Sequence, residues 1–121
     1  MSEAITNNEQ EDAVAALAAL GQSTRLALFQ TLVAAGAEGL SAGAIAQALH
    51  VKQNTLSSHL AILERAGMIA HRRDGRSLIY RPSFFGMRSL LKFLVQDCCD
   101  SHPAVCKPLL TQLARRTSEP A

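Results

Sequence analysis

Three cysteines, Cys98, Cys99 and Cys106, fall within nine consecutive residues and are flanked by Asp97, Asp100 and His102. Thiolates are soft donors, and three of them match the trigonal pyramid of a trivalent arsenic or antimony ion, whose lone pair takes the remaining direction. Zinc asks for a fourth ligand, which Asp97, Asp100 or His102 can offer, and cadmium accepts the same set. In one continuous helix Cys99 and Cys106 would stand seven rises, or about 10.5 Å, apart. Sulfurs sharing one ion lie within about 4 Å of each other, so the chain must turn back between them. Pro103 and Pro108, which lack an amide donor and disfavour helix at the preceding residue, are the expected sites of that turn. A competing chemistry is oxidation joining Cys106 to one of the pair, although Asp97 and Asp100 tend to raise rather than lower the thiol pKa values. The blander reading of each cysteine is a small buried hydrophobe. An odd cysteine count argues against a structural disulfide framework.

A second constellation lies upstream. Leu56, Leu60 and Leu63 recur at i, i+4 and i+7 and anchor one helix face, leaving Gln53, Asn54, Thr55, Ser57, Ser58 and His59 outside, with no carboxylate before Glu64. Short amide and hydroxyl side chains at a helix N-terminus suit a DNA major groove, because they hydrogen-bond base edges and phosphates without repelling them. His71, Arg72, Arg73 and Arg76 then cluster around Asp74-Gly75, where cations can follow the phosphate backbone or enter the minor groove. Either feature alone is equally well read as a solvated surface. Their succession favours double-stranded DNA.

The elements that must position these residues follow from periodicity. An acidic leader, residues 1–11, is expected to be disordered and to end at the N-cap Asp12. A short helix follows with Val14, Leu17 and Leu20, and a second, capped by Ser23, carries Leu26, Phe29 and Val33. Ser41 opens a third helix, with Ile45 and Leu49 inward, and a tight turn at His50-Val51 leads into the fourth, from about Lys52 to Ala66, as in a helix-turn-helix. Ile69 to Arg73 and Ser77 to Arg81 read as a hairpin across Asp74-Gly75. Ser83 begins a further helix whose Phe84, Met87, Leu91 and Leu94 form a narrow apolar seam of the kind that pairs helices. The expected fold is mainly α with a β-hairpin wing, one domain over residues 12–116, a last helix near 108–116 and a disordered tail at 117–121. With little core left to cover it, that late seam reads as a dimer interface.

Composition bounds the rest. A chain of 121 residues, 48% apolar, builds one modest core. Net charge is only +2, but residues 52–92 hold eight Lys or Arg against Glu64 and Asp74, a local +6 that can face a polyanion. No signal-like segment and no apolar run near the roughly 18 residues of a membrane span is present, so a cytoplasmic protein without a membrane partner is expected. An enzyme using these cysteines, such as a thiol-dependent arsenate reductase, would need a Cys-x-x-Cys pair, a glycine-rich oxyanion loop and an alternating strand-helix sheet, which the sequence lacks. A DNA-binding architectural or antitoxin-like protein that senses nothing is the third class.

The run from Leu49 to Leu60, followed by Leu63 to Ile69, resembles the arsenic-repressor (ArsR) family, and Arg73 to Arg76, Tyr80 and Leu20-Gly21-Gln22-Ser23-Thr24-Arg25 extend the resemblance over residues 12–97. It implies a winged helix-turn-helix homodimer, joined by the first helix with Val14 and Leu17 and by the late helix, that represses transcription from a two-fold operator near its own promoter. The founding sensors carry a Cys-x-Cys pair before the recognition helix, where this sequence has Gly43 to Ala48 and no ligand. Some arsenic repressors lacking that pair resemble this chain in carrying a Cys-Cys doublet and a later Cys near the C-terminus. That resemblance puts As(III) ahead of Sb(III), Cd(II) and Zn(II) as the inducer held by Cys98, Cys99 and Cys106.

Overall fold

The computed structural model describes residues 7–101 and 103–118. Helix α1 (Asn7–Leu20) is followed by α2 (Ser23–Ala35), strand β1 (Leu40–Ser41), α3 (Ala42–Leu49), α4 (Gln53–Arg65), β2 (Ile69–Asp74), β3 (Ser77–Pro82), α5 (Phe84–Ser101) and α6 (Pro103–Ser118). The core is built by Leu28 and Leu32 of α2, Ile45 of α3, Leu56 and Leu63 of α4 and Met68 at the entry to β2, all essentially inaccessible. Fully burying such a side chain contributes roughly 1.5–3 kcal/mol. The inward residues of α2 are thus Leu28, Phe29 and Leu32, with Val33 partly buried, while Leu26 faces outward.

Local chemistry sets the boundaries. Gln22, rather than Ser23, caps α2 by accepting from the Arg25 amide (2.9 Å), and Ser41 Oγ caps α3 by accepting from the Ala44 amide (3.1 Å). The turn between α3 and α4 is held by His50 at φ 54°, whose amide closes onto Ala46 and Gln47. The α4 helix stops at Gly67, φ 79°, and the Met68 amide returns to the Leu63 carbonyl (3.0 Å).

The sheet is antiparallel in the order β1-β3-β2. Asp74 pairs with Ser77, so the connecting residues are Gly75 and Arg76, one position later than the expected Asp74-Gly75. Gly75 has φ 64° and Arg76 no positive φ, the arrangement of a II′ turn. Strand β1 was not foreseen, because two residues show no alternation. It forms where Gly39, φ 79°, lets the chain lie against the Tyr80 carbonyl, which a Cβ would strike. Gly86 plays the same part in α5, facing the Gly67 carbonyl so closely that a Cβ would collide with it.

Both termini differ from expectation. Helix α1 begins at Asn7, inside the leader taken as disordered, because Glu9, Gln10 and Glu11 are good helix formers and acidic side chains favour a helix N-terminus. Residues 1–6 of that leader lie outside the described residues. Helix α6 starts at Pro103, five residues before the expected Pro108, and runs to Ser118, so residues 117 and 118 of the expected tail are helical and residues 119–121 are outside the described residues. Proline suits a first helical position, whose amide is unpaired in any helix. Pro108 lies inside α6 and does not break it, so the turn expected at Pro108 is not made there.

Candidate nucleic-acid interface and cysteine site

The N-terminal half of α4 presents Gln53, Asn54, Thr55, Ser57 and Ser58 to solvent, while Leu56, Leu60 and Leu63 are buried beneath them. Ser57 Oγ donates to the Gln53 carbonyl (3.0 Å), Asn54 Oδ1 accepts from the Thr55 amide (2.9 Å), and no acidic residue occurs from Gln53 to Leu63. The N-cap residue, Lys52, makes no side-chain cap, and the first amides of α4 together with the helix dipole offer a positive end to a phosphate.

On the wing, His71, Arg72, Arg73 and Arg76 are all exposed. Arg72 donates to the Glu38 carbonyl (3.3 Å), bracing the wing on the loop before β1. His71 Nδ1 lies 2.6 Å from Glu64 Oε2, an exposed pair that ties β2 to the last turns of α4. The His71 ring also leans on Tyr80, with centroids 5.4 Å apart. Burial, and then the Glu64 carboxylate, push the Tyr80 hydroxyl above its ordinary pKa of 10.0. Helix α4 and the β2–β3 hairpin are therefore one braced unit with a neutral polar face and a cationic edge.

His59 departs from the other residues expected to meet DNA. It is half-buried, and its Nδ1 lies 3.3 Å from Arg25 Nη1 on α2. In the sequence Arg25 stands out only within the run Leu20 to Arg25. Nothing in the sequence signals its link to a residue 34 positions away.

Along α1, the side that packs inward is Ala13, Ala16 and Ala19, whereas Val14 and Leu17 are 58% and 45% exposed. Of the seam expected on α5, Phe84, Leu91 and Leu94 are exposed at 42–52%. Met87 instead packs against the core with Leu90 and Phe93, on a helix that contacts α1.

Cys98 and Cys99 occupy the last turn of α5, and Cys106 the first turn of α6. The two helices are in contact, and residue 102 between them lies outside the described residues. The side chains of Cys98, Cys99 and Cys106, like those of Asp97, Asp100 and His102, lie outside the described residues. Among the described residues no three His, Cys, Asp or Glu side chains gather into a group that could hold a metal. None of the helices described is long and apolar enough to cross a membrane.

A helix-turn-helix domain family matches residues 20–72, the stretch from the end of α1 to the wing. The uncharacterized HTH-type transcriptional regulator YceK of Bacillus subtilis is 33% identical over 75 residues, covering 60% of this chain and 74% of that protein. The chain belongs to the helix-turn-helix transcriptional regulators. The nodulation protein NolR of Rhizobium meliloti is 29% identical over 109 residues, 89% of this chain and 87% of that one. Among solved structures, the homodimeric winged helix-turn-helix DNA-binding domain Mb0332 of Mycobacterium bovis superposes with a TM-score of 0.60 at 22% identity, over 84% of this chain and 95% of that one. At that identity the likeness is one of fold, and it makes β2 and β3 the wing of a winged helix-turn-helix domain.

Proposed function

We propose that this regulator is a homodimeric repressor of the ArsR type, which holds two-fold operator DNA and releases it when As(III) binds Cys98, Cys99 and Cys106. The observation that carries the DNA reading is the carboxylate-free, exposed N-terminal face of α4 beside the arginine edge of the wing. Two copies related by a dyad would place their α4 helices in successive major grooves, about 34 Å apart. Assembly through Val14, Leu17, Leu91 and Leu94 is supported by their exposure and by the homodimeric state of the Mycobacterium bovis domain.

The metalloid reading is supported by three cysteines that fall at the adjoining ends of α5 and α6. Cys98 and Cys99 lie in the last turn of one helix and Cys106 in the first turn of the next, and a single three-thiolate site would need the chain to turn back between them. Three soft sulfurs suit As(III) or Sb(III), and Cd(II) or Zn(II) would recruit an oxygen or imidazole as well. A ligand tying α5 to α6 would act on the helix that carries half of the dimer face, and so on the spacing of the reading helices. By linkage, DNA must weaken ligand binding by the same factor.

The test is fluorescence anisotropy of the reduced protein on its own promoter duplex, titrated with arsenite, antimonite, cadmium and zinc. Release by arsenite, abolished in Cys98→Ser, is the expected result. Release by cadmium or zinc alone would replace the metalloid with a tetrahedral site. Release only by an oxidant would make the cysteines a redox switch, and absence of DNA binding would overturn the repressor itself.

A further inference from the structure

Arg25 stands at the meeting point of three helices. Its Nε donates to the Ala19 carbonyl (2.6 Å) in the last turn of α1, and its Nη1 reaches His59 Nδ1 (3.3 Å) on α4. The last four carbonyls of a helix have no partner within it and form the negative end of its dipole. No base of α1 serves that end, and Arg25 of α2 supplies the cation instead. A guanidinium only donates, so His59 must accept at Nδ1 and keep its proton on Nε2. The imidazole is thereby committed to a contact inside the protein. Among the described residues no carboxylate pairs with Arg25, which leaves His59 and the α1 carbonyl as the groups that orient it.

We propose that His59 is a positioning residue for DNA reading, fixing the recognition helix to the C-terminal end of α1 through Arg25. The proposal rests on the operator-binding reading above and adds to it a connection between two functions. Helix α1 carries Val14 and Leu17, the exposed part of the dimer face, and α4 carries the reading face. Arg25 and His59 join them by two polar contacts, so a displacement of α1 is delivered to the base-reading side chains directly.

The experiment measures affinity for the promoter duplex across a salt series for the wild type, His59→Ala, His59→Asn, Arg25→Ala and the double alanine variant. His59→Ala should weaken binding about tenfold, as expected for losing a hydrogen bond to a charged group. The dependence on salt concentration should stay unchanged. Asparagine, whose amide oxygen stands near the place of Nδ1, should restore most of the loss and keeps the test available if the alanine variant folds poorly. The double alanine variant should be no weaker than Arg25→Ala alone, because both remove one connection.

A salt slope shallower by about 0.9 in His59→Ala would instead mark a phosphate contact and overturn the proposal. Additive losses, or unchanged affinity in both single variants, would overturn it as well while leaving the repressor standing. A wild-type protein that fails to bind the duplex would remove the reading on which the proposal rests.

Discussion

Tyr80 is the chain's single tyrosine, and no tryptophan is present, so its ionisation can be followed alone by phenolate absorbance. Burial and Glu64 raise its pKa in the folded state above 10.0. The neutral hydroxyl is thus favoured by folding, and its contribution is fully present below the unfolded pKa. As pH rises past 10.0 the unfolded chain loses this proton first, and stability falls until the folded pKa is passed. Comparing urea midpoints across that range, Tyr80→Phe should flatten the alkaline decline of the wild type. An equal decline in both proteins would show that Tyr80 is not its source. At this scale the sequence was partly legible. The exposed amides and hydroxyls of α4 could be chosen because Leu56, Leu60 and Leu63 define its buried stripe. The turn of His59 toward Arg25 could not, since it depends on how α2 crosses α4.

The elements depend on a few close backbone approaches. In an exposed helix Gly→Ala commonly stabilises by about 1 kcal/mol. At Gly86 the sign should reverse, because the new Cβ would meet the Gly67 carbonyl, and we expect Gly86→Ala to cost about 1–3 kcal/mol. A chemical-denaturation midpoint at or above that of the wild type would contradict this packing of α5 on the α4–β2 turn. Helices with a strong cap or stripe, α3 and α4, were readable from spacing, as was the hairpin. Strand β1 was not, because it exists only by pairing with Ile79 and Tyr80. The expected break at Pro108 failed because a proline within a helix forfeits one hydrogen bond, a loss the helix can carry when its neighbours continue.

For the molecule as a whole, the surface left uncovered is as informative as the core. Val14, Leu17, Leu91 and Leu94 are each about half exposed or more, although each is large and apolar. On the dimer reading, Leu91→Glu should give a monomer by analytical ultracentrifugation while the far-ultraviolet dichroism stays that of the folded chain. Promoter affinity should fall by an order of magnitude or more, as each half-site is then bound alone. A dimeric Leu91→Glu protein would place the interface elsewhere. Periodicity placed Val14 and Leu17 on a first helix, the family resemblance implied that this helix joins a dimer, and both side chains are exposed. What the sequence concealed was that Ala13, Ala16 and Ala19 make the inner side of α1.

That inverted helix has a consequence for how the gene could be controlled. Alanine offers little area to its own subunit, while valine and leucine offer more to a second one. For a dimer formed through this face, occupancy of DNA at low abundance rises with the square of the amount of protein made. A repressor acting near its own promoter would then shut its own synthesis off over a narrow range of copy number, counting itself before it encounters any inducer.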